Sequence, residues 1–135
     1  MNIIDVLQNN LFLNQLYPKG IKDFFISKIE LNYFNKVTVI LNCRDKPEIA
    51  VKKWGEWGKN FNVVTIEFSV QFLKNINILN WENSSNFNCN CSIKKEDLIN
   101  VRFYGDDWDI NFSTNNGMLF QKADVYLEEP DTSDI

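Results

Sequence analysis

Lys52 to Trp81 reads KKWGEWGKNFNVVTIEFSVQFLKNINILNW. From Asn62 onward, Val64, Ile66, Phe68 and Val70 fall on one face, and Thr65, Glu67 and Ser69 fall on the other. That period of two is the pattern of a half-buried strand. A second run follows, with Ile76 and Ile78 opposite Asn75, Asn77, Leu79 and Trp81. Only a few residues around Gln71 and Phe72 separate the runs, which predicts an antiparallel hairpin, because parallel neighbours need a much longer crossover.

The pattern extends in both directions. Upstream, Val37, Val39, Leu41 and Cys43 share one face of a strand. After a short turn at Asn35, Phe25, Ile29, Leu31 and Tyr33 share one face of the strand before it. A loop from Arg44 to Asn60, with Pro47, Gly55 and Gly58, interrupts the alternation. Downstream, a polar turn from Glu82 to Asn86 precedes a strand through Phe87, Cys89, Cys91 and Ile93. Three more strands are predicted around Val101, Trp108 and Phe120 to Val125. At the N-terminus, Ile3, Val6, Leu7, Leu11 and either Leu13 or Leu16 recur at helical spacing until Pro18-Lys19-Gly20 ends the run. The expected fold is mainly β (α+β), an antiparallel sheet or two-layer sandwich of about eight strands with one N-terminal helix packed against it.

At 135 residues the chain fits one domain, and a domain of this size buries roughly two thirds of its unfolded surface. We place that domain at 1–127 and an acidic tail at 128–135. The net charge of −4 belongs to the C-terminal end. Asp124, Glu128, Glu129, Asp131 and Asp134 stand there without a base, and the rest of the chain sums to +1. A basic partner would feel that end first. Met1 to Asn10 carries an acid and no base, unlike a secretory signal, and no apolar run approaches the ~20 residues of a membrane helix. The expected location is cytoplasmic, with no membrane contact.

The chain has no histidine, which removes the Ser/His and Cys/His nucleophiles and the commonest zinc sites together. After Gly105, the carboxylates Asp106, Asp107 and Asp109 lie around Trp108, with Asp107, Asp109, Asn111 and Ser113 expected on one strand face. Catalytic carboxylate pairs usually face each other across a cleft, and the spacing fails the calcium-loop pattern, since Phe112 stands where glycine is needed. No catalytic residue, metal or cofactor is expected. Cys43, Cys89 and Cys91 read as reduced packing residues. Two arginines and an acidic end argue against nucleic acid. In the glycine-containing loop, Trp54 reads as a core anchor and Trp57 as an exposed contact.

Leu11-Phe12-Leu13-Asn14-Gln15-Leu16-Tyr17, Lys53-Trp54, Phe61 to Glu67, Ile76 to Trp81, Phe103 to Phe112 and Asp124-Val125-Tyr126 together span most of the chain. In these segments the chain resembles the immunity protein 50 family of bacterial polymorphic toxin systems. It departs from that resemblance at Gln71-Phe72, where a glycine would be expected in the turn. The resemblance implies a non-enzymatic antitoxin that neutralises the toxin domain of a cognate effector through a protein–protein complex, with a basic nuclease as one class of target. For the toxin contact we single out Trp57 as an aromatic anchor and Asp106, Asp107, Asp109, Glu128 and Glu129 as steering charges. The alternative is a non-catalytic carbohydrate-binding sandwich. A row of coplanar exposed tryptophans would favour sugar, and a broad acidic or mixed patch would favour the toxin.

Overall fold

Alternating faces require something to cover the apolar one, and here two sheets cover each other. The computed structural model describes residues 1–85 and 89–129. Its strands are β1 (Phe24–Asn32), β2 (Lys36–Cys43), β3 (Val63–Val70), β4 (Leu73–Leu79), β5 (Asn90–Lys95), β6 (Ile99–Tyr104), β7 (Asp109–Thr114) and β8 (Met118–Tyr126). All pairings between these strands are antiparallel, in one sheet of order β1-β2-β3-β8 and a second of order β4-β7-β6-β5. The fold is mainly β, as the alternation predicts.

Register turns single apolar residues into rows that cross each sheet. Ile29, Val39, Phe68 and Phe120 align across the first sheet, as do Leu31, Val37, Val70 and Met118. Across the second run Ile76, Phe112, Val101 and Ile93, then Ile78, Ile110, Phe103 and Cys91. Phe24 stands edge-on to Phe103 with ring centroids 6.2 Å apart, joining the layers. Trp54 and Trp108 are buried in the same core.

Three expectations are corrected. The Val63–Val70 and Leu73–Leu79 runs do not form a hairpin: β3 lies between β2 and β8, whereas β4 is an edge of the other sheet. Gln71 and Phe72 carry the chain across, and their backbone groups bond to distant turns. Gln71 N–H donates to Gly117 O (2.7 Å), Leu73 N–H to Asn35 O (3.1 Å) and Asn115 N–H to Phe72 O (3.3 Å). The approach is close enough that a Cβ on Gly117 would lie 2.5 Å from Gln71 O.

The single N-terminal helix is instead two, α1 (Ile3–Val6) and α2 (Leu11–Leu16). Between them Asn9 takes φ 63°, Gln8 N–H donates to Met118 O (2.8 Å) and Phe120 N–H donates to Gln8 O (3.0 Å). The helix gives up a turn so that Gln8 can pair with the β8 edge, whose open backbone groups would otherwise lack partners. Finally, the face assigned to the first strand changes partway along. A bulge between Ile26 and Lys28 puts Phe24 and Ile26 inward before it and Ile29 against the core after it, so Phe25 faces out. Leu31, further along, lies beyond the core at 62% exposure. Of the fifth expected strand, Phe87 lies outside the described residues, as does Asn86 of the turn before it.

Candidate functional site

The residues singled out for partner contact lie at the strand ends that lead away from the β1–β2 turn. Asp106 and Asp107 are exposed in the β6–β7 turn. Buried Trp108 anchors that turn: Gly105 N–H donates to Trp108 O (3.1 Å), and the indole lies against Gly105, where a Cβ would be 2.1 Å from Nε1. Asn80 Nδ2 donates to the Asp107 carbonyl (2.9 Å), tying the turn to the segment after β4.

Asp109 is not a free steering charge. Arg102 Nε donates to its Oδ2 (2.6 Å) and Asn111 Nδ2 to its Oδ1 (2.9 Å). Burial pushes this carboxyl up, but the hydrogen bonds from Arg102 and Asn111 outweigh it and hold Asp109 below the usual range. The Arg102 guanidinium also lies 4.2 Å from the centroid of the Tyr104 ring. Register extends this cluster into a polar outer face of the second sheet. Asn77, Asn111, Arg102 and Ser92 form one row, and Asn75, Ser113, Asn100 and Lys94 the next. Asn77 Nδ2 bridges to Asn75 Oδ1 (3.1 Å) and Asn111 Oδ1 (3.2 Å). A shallow depression of about 310 Å³ opens on this face. Amides, a paired charge and an aromatic ring in fixed rows make a lattice of hydrogen-bond donors and acceptors.

Glu128, assigned from sequence to the tail, is stitched to the body. Arg44 grips it with Nε to Oε2 and Nη2 to Oε1, both 2.9 Å. Asn62 accepts from Glu128 N–H (2.6 Å) and donates to its carbonyl (3.1 Å). Glu129 is exposed, and 130–135 lie outside the described residues. The Arg44 hydrogen bonds hold the Glu128 carboxyl below its ordinary value against the opposing effect of burial. A carboxyl whose pKa is lowered by folding contributes stability above its unfolded value and loses it as pH falls through the folded one. Melting temperature should therefore fall more steeply from about pH 5 to pH 3 in the wild type than in Glu128→Gln. Because the pair is partly exposed, the gap at neutral pH should be about 1 kcal/mol or less. Parallel pH profiles of the two proteins would show that the pair contributes nothing.

Trp57 is half-buried, not free. Its ring meets Phe61 edge-on at 5.4 Å, Phe61 meets Trp54 at 5.9 Å and Trp54 meets Phe12 at 5.7 Å. It lines a groove of about 460 Å³ beside Pro47, Ile49 and Glu56. Since Phe61 precedes Asn62, the structure brings Trp57 and Glu128 to one end of the first sheet, whereas Asp106 and Asp107 belong to the second.

The thiols offer little nucleophilic chemistry. Burial pushes Cys43, Cys89 and Cys91 up to about 12, far from thiolate at neutral pH. Arg44, Asn62 and Arg102 escaped the sequence reading, as did the exposed rings of Tyr33, Phe34 and Phe72. For Tyr33 and Phe34 a signal existed: two aromatics stand directly before Asn35, in a turn where small polar residues are the rule. No helix is long and apolar enough to cross a membrane among the described residues. No family model, curated protein or solved structure matches the chain.

Proposed function

We propose that the chain is a non-enzymatic, cytoplasmic antitoxin that captures the toxin domain of a cognate effector in a protein–protein complex. The observation that favours a protein partner over sugar is the fate of the four tryptophans. Trp54 and Trp108 are buried and Trp57 is packed edge-on to Phe61, which leaves Trp81 as the one substantially exposed indole, at 42%. Sugar-binding faces stack rings side by side, and four tryptophans in these positions cannot do so. The mixed polar lattice of the second sheet suits a protein interface, which takes about 800 Å² from each partner. The resemblance to immunity proteins supplies the class of partner, and a basic nuclease is the target that would best use the exposed carboxylates at Asp106, Asp107 and Glu129.

The test is co-expression with the toxin domain encoded beside this chain's own gene. Cells should survive the toxin only when the chain is present. The purified pair should co-elute, and the toxin's activity should fall in proportion to added chain, which by itself should turn over neither nucleic acid nor sugar polymers. Failure to bind or protect, together with retention on a polysaccharide matrix, would replace this reading with the carbohydrate module.

A further inference from the structure

The end of the sandwich opposite Asp106, Asp107 and Glu128 carries the most exposed aromatic surface among the described residues. Between β1 and β2 the chain turns through Tyr33, Phe34 and Asn35. Tyr33 and Phe34 are each 83% exposed, and Phe72 in the crossover is 60% exposed. The Tyr33 and Phe34 rings lean on one another with centroids 4.2 Å apart. These two segments meet, because Leu73 N–H donates to Asn35 O at 3.1 Å. Between them lies an open groove of about 500 Å³ walled by Leu31, Tyr33, Phe34, Val37, Leu73 and Ile76.

Folding alone does not account for these residues. Phe34 and Phe72 take φ 62° and φ 55°, the left-handed region, where a bulky side chain is an outlier and Asn or Gly is at ease. Each phenylalanine thus sits on an unfavourable backbone and also offers its ring to water. Strain of this kind persists where the surroundings fix it, and it gathers at functional positions. Here the bonds of the crossover to Gly117, Asn115 and Asn35 do the fixing.

We propose that this aromatic tip is a wedge that enters an apolar cleft of the toxin domain and supplies the slow-dissociating anchor of the complex. The proposal rests on the antitoxin reading. Three rings of about 150–250 Å² each, exposed to this degree, present on the order of 400 Å². Two copies of the chain meeting through such a patch would bury about 800 Å², the scale of adventitious contacts and short of the ~1,200 Å² of a stable interface. A concave partner also covers the flanks of a protruding turn and so reaches that area. Lys36 lines the groove without an ion pair among the described residues, so acceptors on the cleft rim would meet it. Glu96 and Asp97 in the β5–β6 turn, at this same end, disfavour an anionic lipid surface.

The decisive proteins are Tyr33→Ser/Phe34→Asn and, separately, Phe72→Gly, each in the full chain and titrated against the toxin domain encoded beside its gene. The melting temperature should hold or rise, because Asn at position 34 and Gly at position 72 suit the left-handed backbone there and the Tyr33 ring is exposed. Binding should weaken at least ~30-fold, chiefly through faster dissociation. If wild type and both variants bind equally tightly, the wedge is refuted and the antitoxin reading stands. If wild type itself does not bind, both fall. A drop in melting temperature would make the rings structural and overturn the proposal. So would sedimentation of wild type, but not the double variant, with phosphatidylcholine vesicles containing some phosphatidylglycerol, or a wild-type dimer that the double variant dissolves.

Discussion

Phe103→Ala is expected to lower the unfolding free energy by about 3–5 kcal/mol. Phe103 is 1% exposed and occupies the row Ile78, Ile110, Phe103, Cys91 on the inner face of the second sheet. Its ring contacts Phe24 of the opposite layer at 6.2 Å and Phe112 of its own layer at 6.5 Å. Truncation therefore removes apolar burial and opens a cavity where the sheets touch, and β6, held by ladders to β5 on one side and β7 on the other, cannot collapse to fill it. Total stability of a domain is about 5–15 kcal/mol, so the variant would be barely folded at the low end of that range. Urea unfolding of both proteins checks the effect, and Phe103→Leu should recover much of it. A loss below about 1 kcal/mol, the size of an ordinary substitution, would mean that the layers do not meet at this ring. Tyr33→Ser/Phe34→Asn, changing rings of similar size in water, should show no such loss.

Gly105→Ala should cost about 1–3 kcal/mol, the range for forcing extra volume into a packed site. The new methyl would lie 2.1 Å from Trp108 Nε1 and 2.8 Å from its Cδ1. That indole is 4% exposed and has no room to swing aside, so the β6–β7 turn must shift with it. The shift would carry Asp106 and Asp107 along. Loss of stability should thus accompany a changed near-ultraviolet dichroism of the tryptophans and, if those carboxylates steer the toxin, a slower association rate. Full stability with an unchanged spectrum would show that the turn accommodates a side chain and that glycine there answers no packing need.

The strands were legible wherever a strand obeys a strict period of two. Val64, Ile66, Phe68 and Val70 are all buried, and so are Val37, Val39, Leu41 and Cys43. What alternation encodes is which face is covered; it carries no information on which strand lies alongside. For that reason β3 and β4 read as a hairpin although they belong to different sheets. The deciding contacts come from Gly117 and Asn35, far away in sequence. The bulge after Ile26 is likewise invisible in a pattern that assumes one residue per step. The helix was read as one because its apolar spacing continues through Leu7 to Leu11, whereas pairing with β8 governs Gln8. At the candidate site, exposed turn carboxylates such as Asp106 and Asp107 were readable as such. The partners that neutralise Asp109 and Glu128 were not, since Arg44 lies 84 positions from Glu128.

The order of strands in the first sheet bears on how the chain is made. β1, β2 and β3 leave the ribosome in succession and can pair at once, but the neighbour on the free side of β3 is β8, the last of the eight described strands in chain order. Until Met118 to Tyr126 emerges, Val63 to Val70 remains an uncovered edge of alternating Val, Ile and Phe while the whole second sheet is being translated. Such an edge invites pairing with neighbouring nascent chains. Slow translation or premature termination between β4 and β8 would therefore favour aggregation over simple loss of protein, and β8 acts as the latch that ends the exposure.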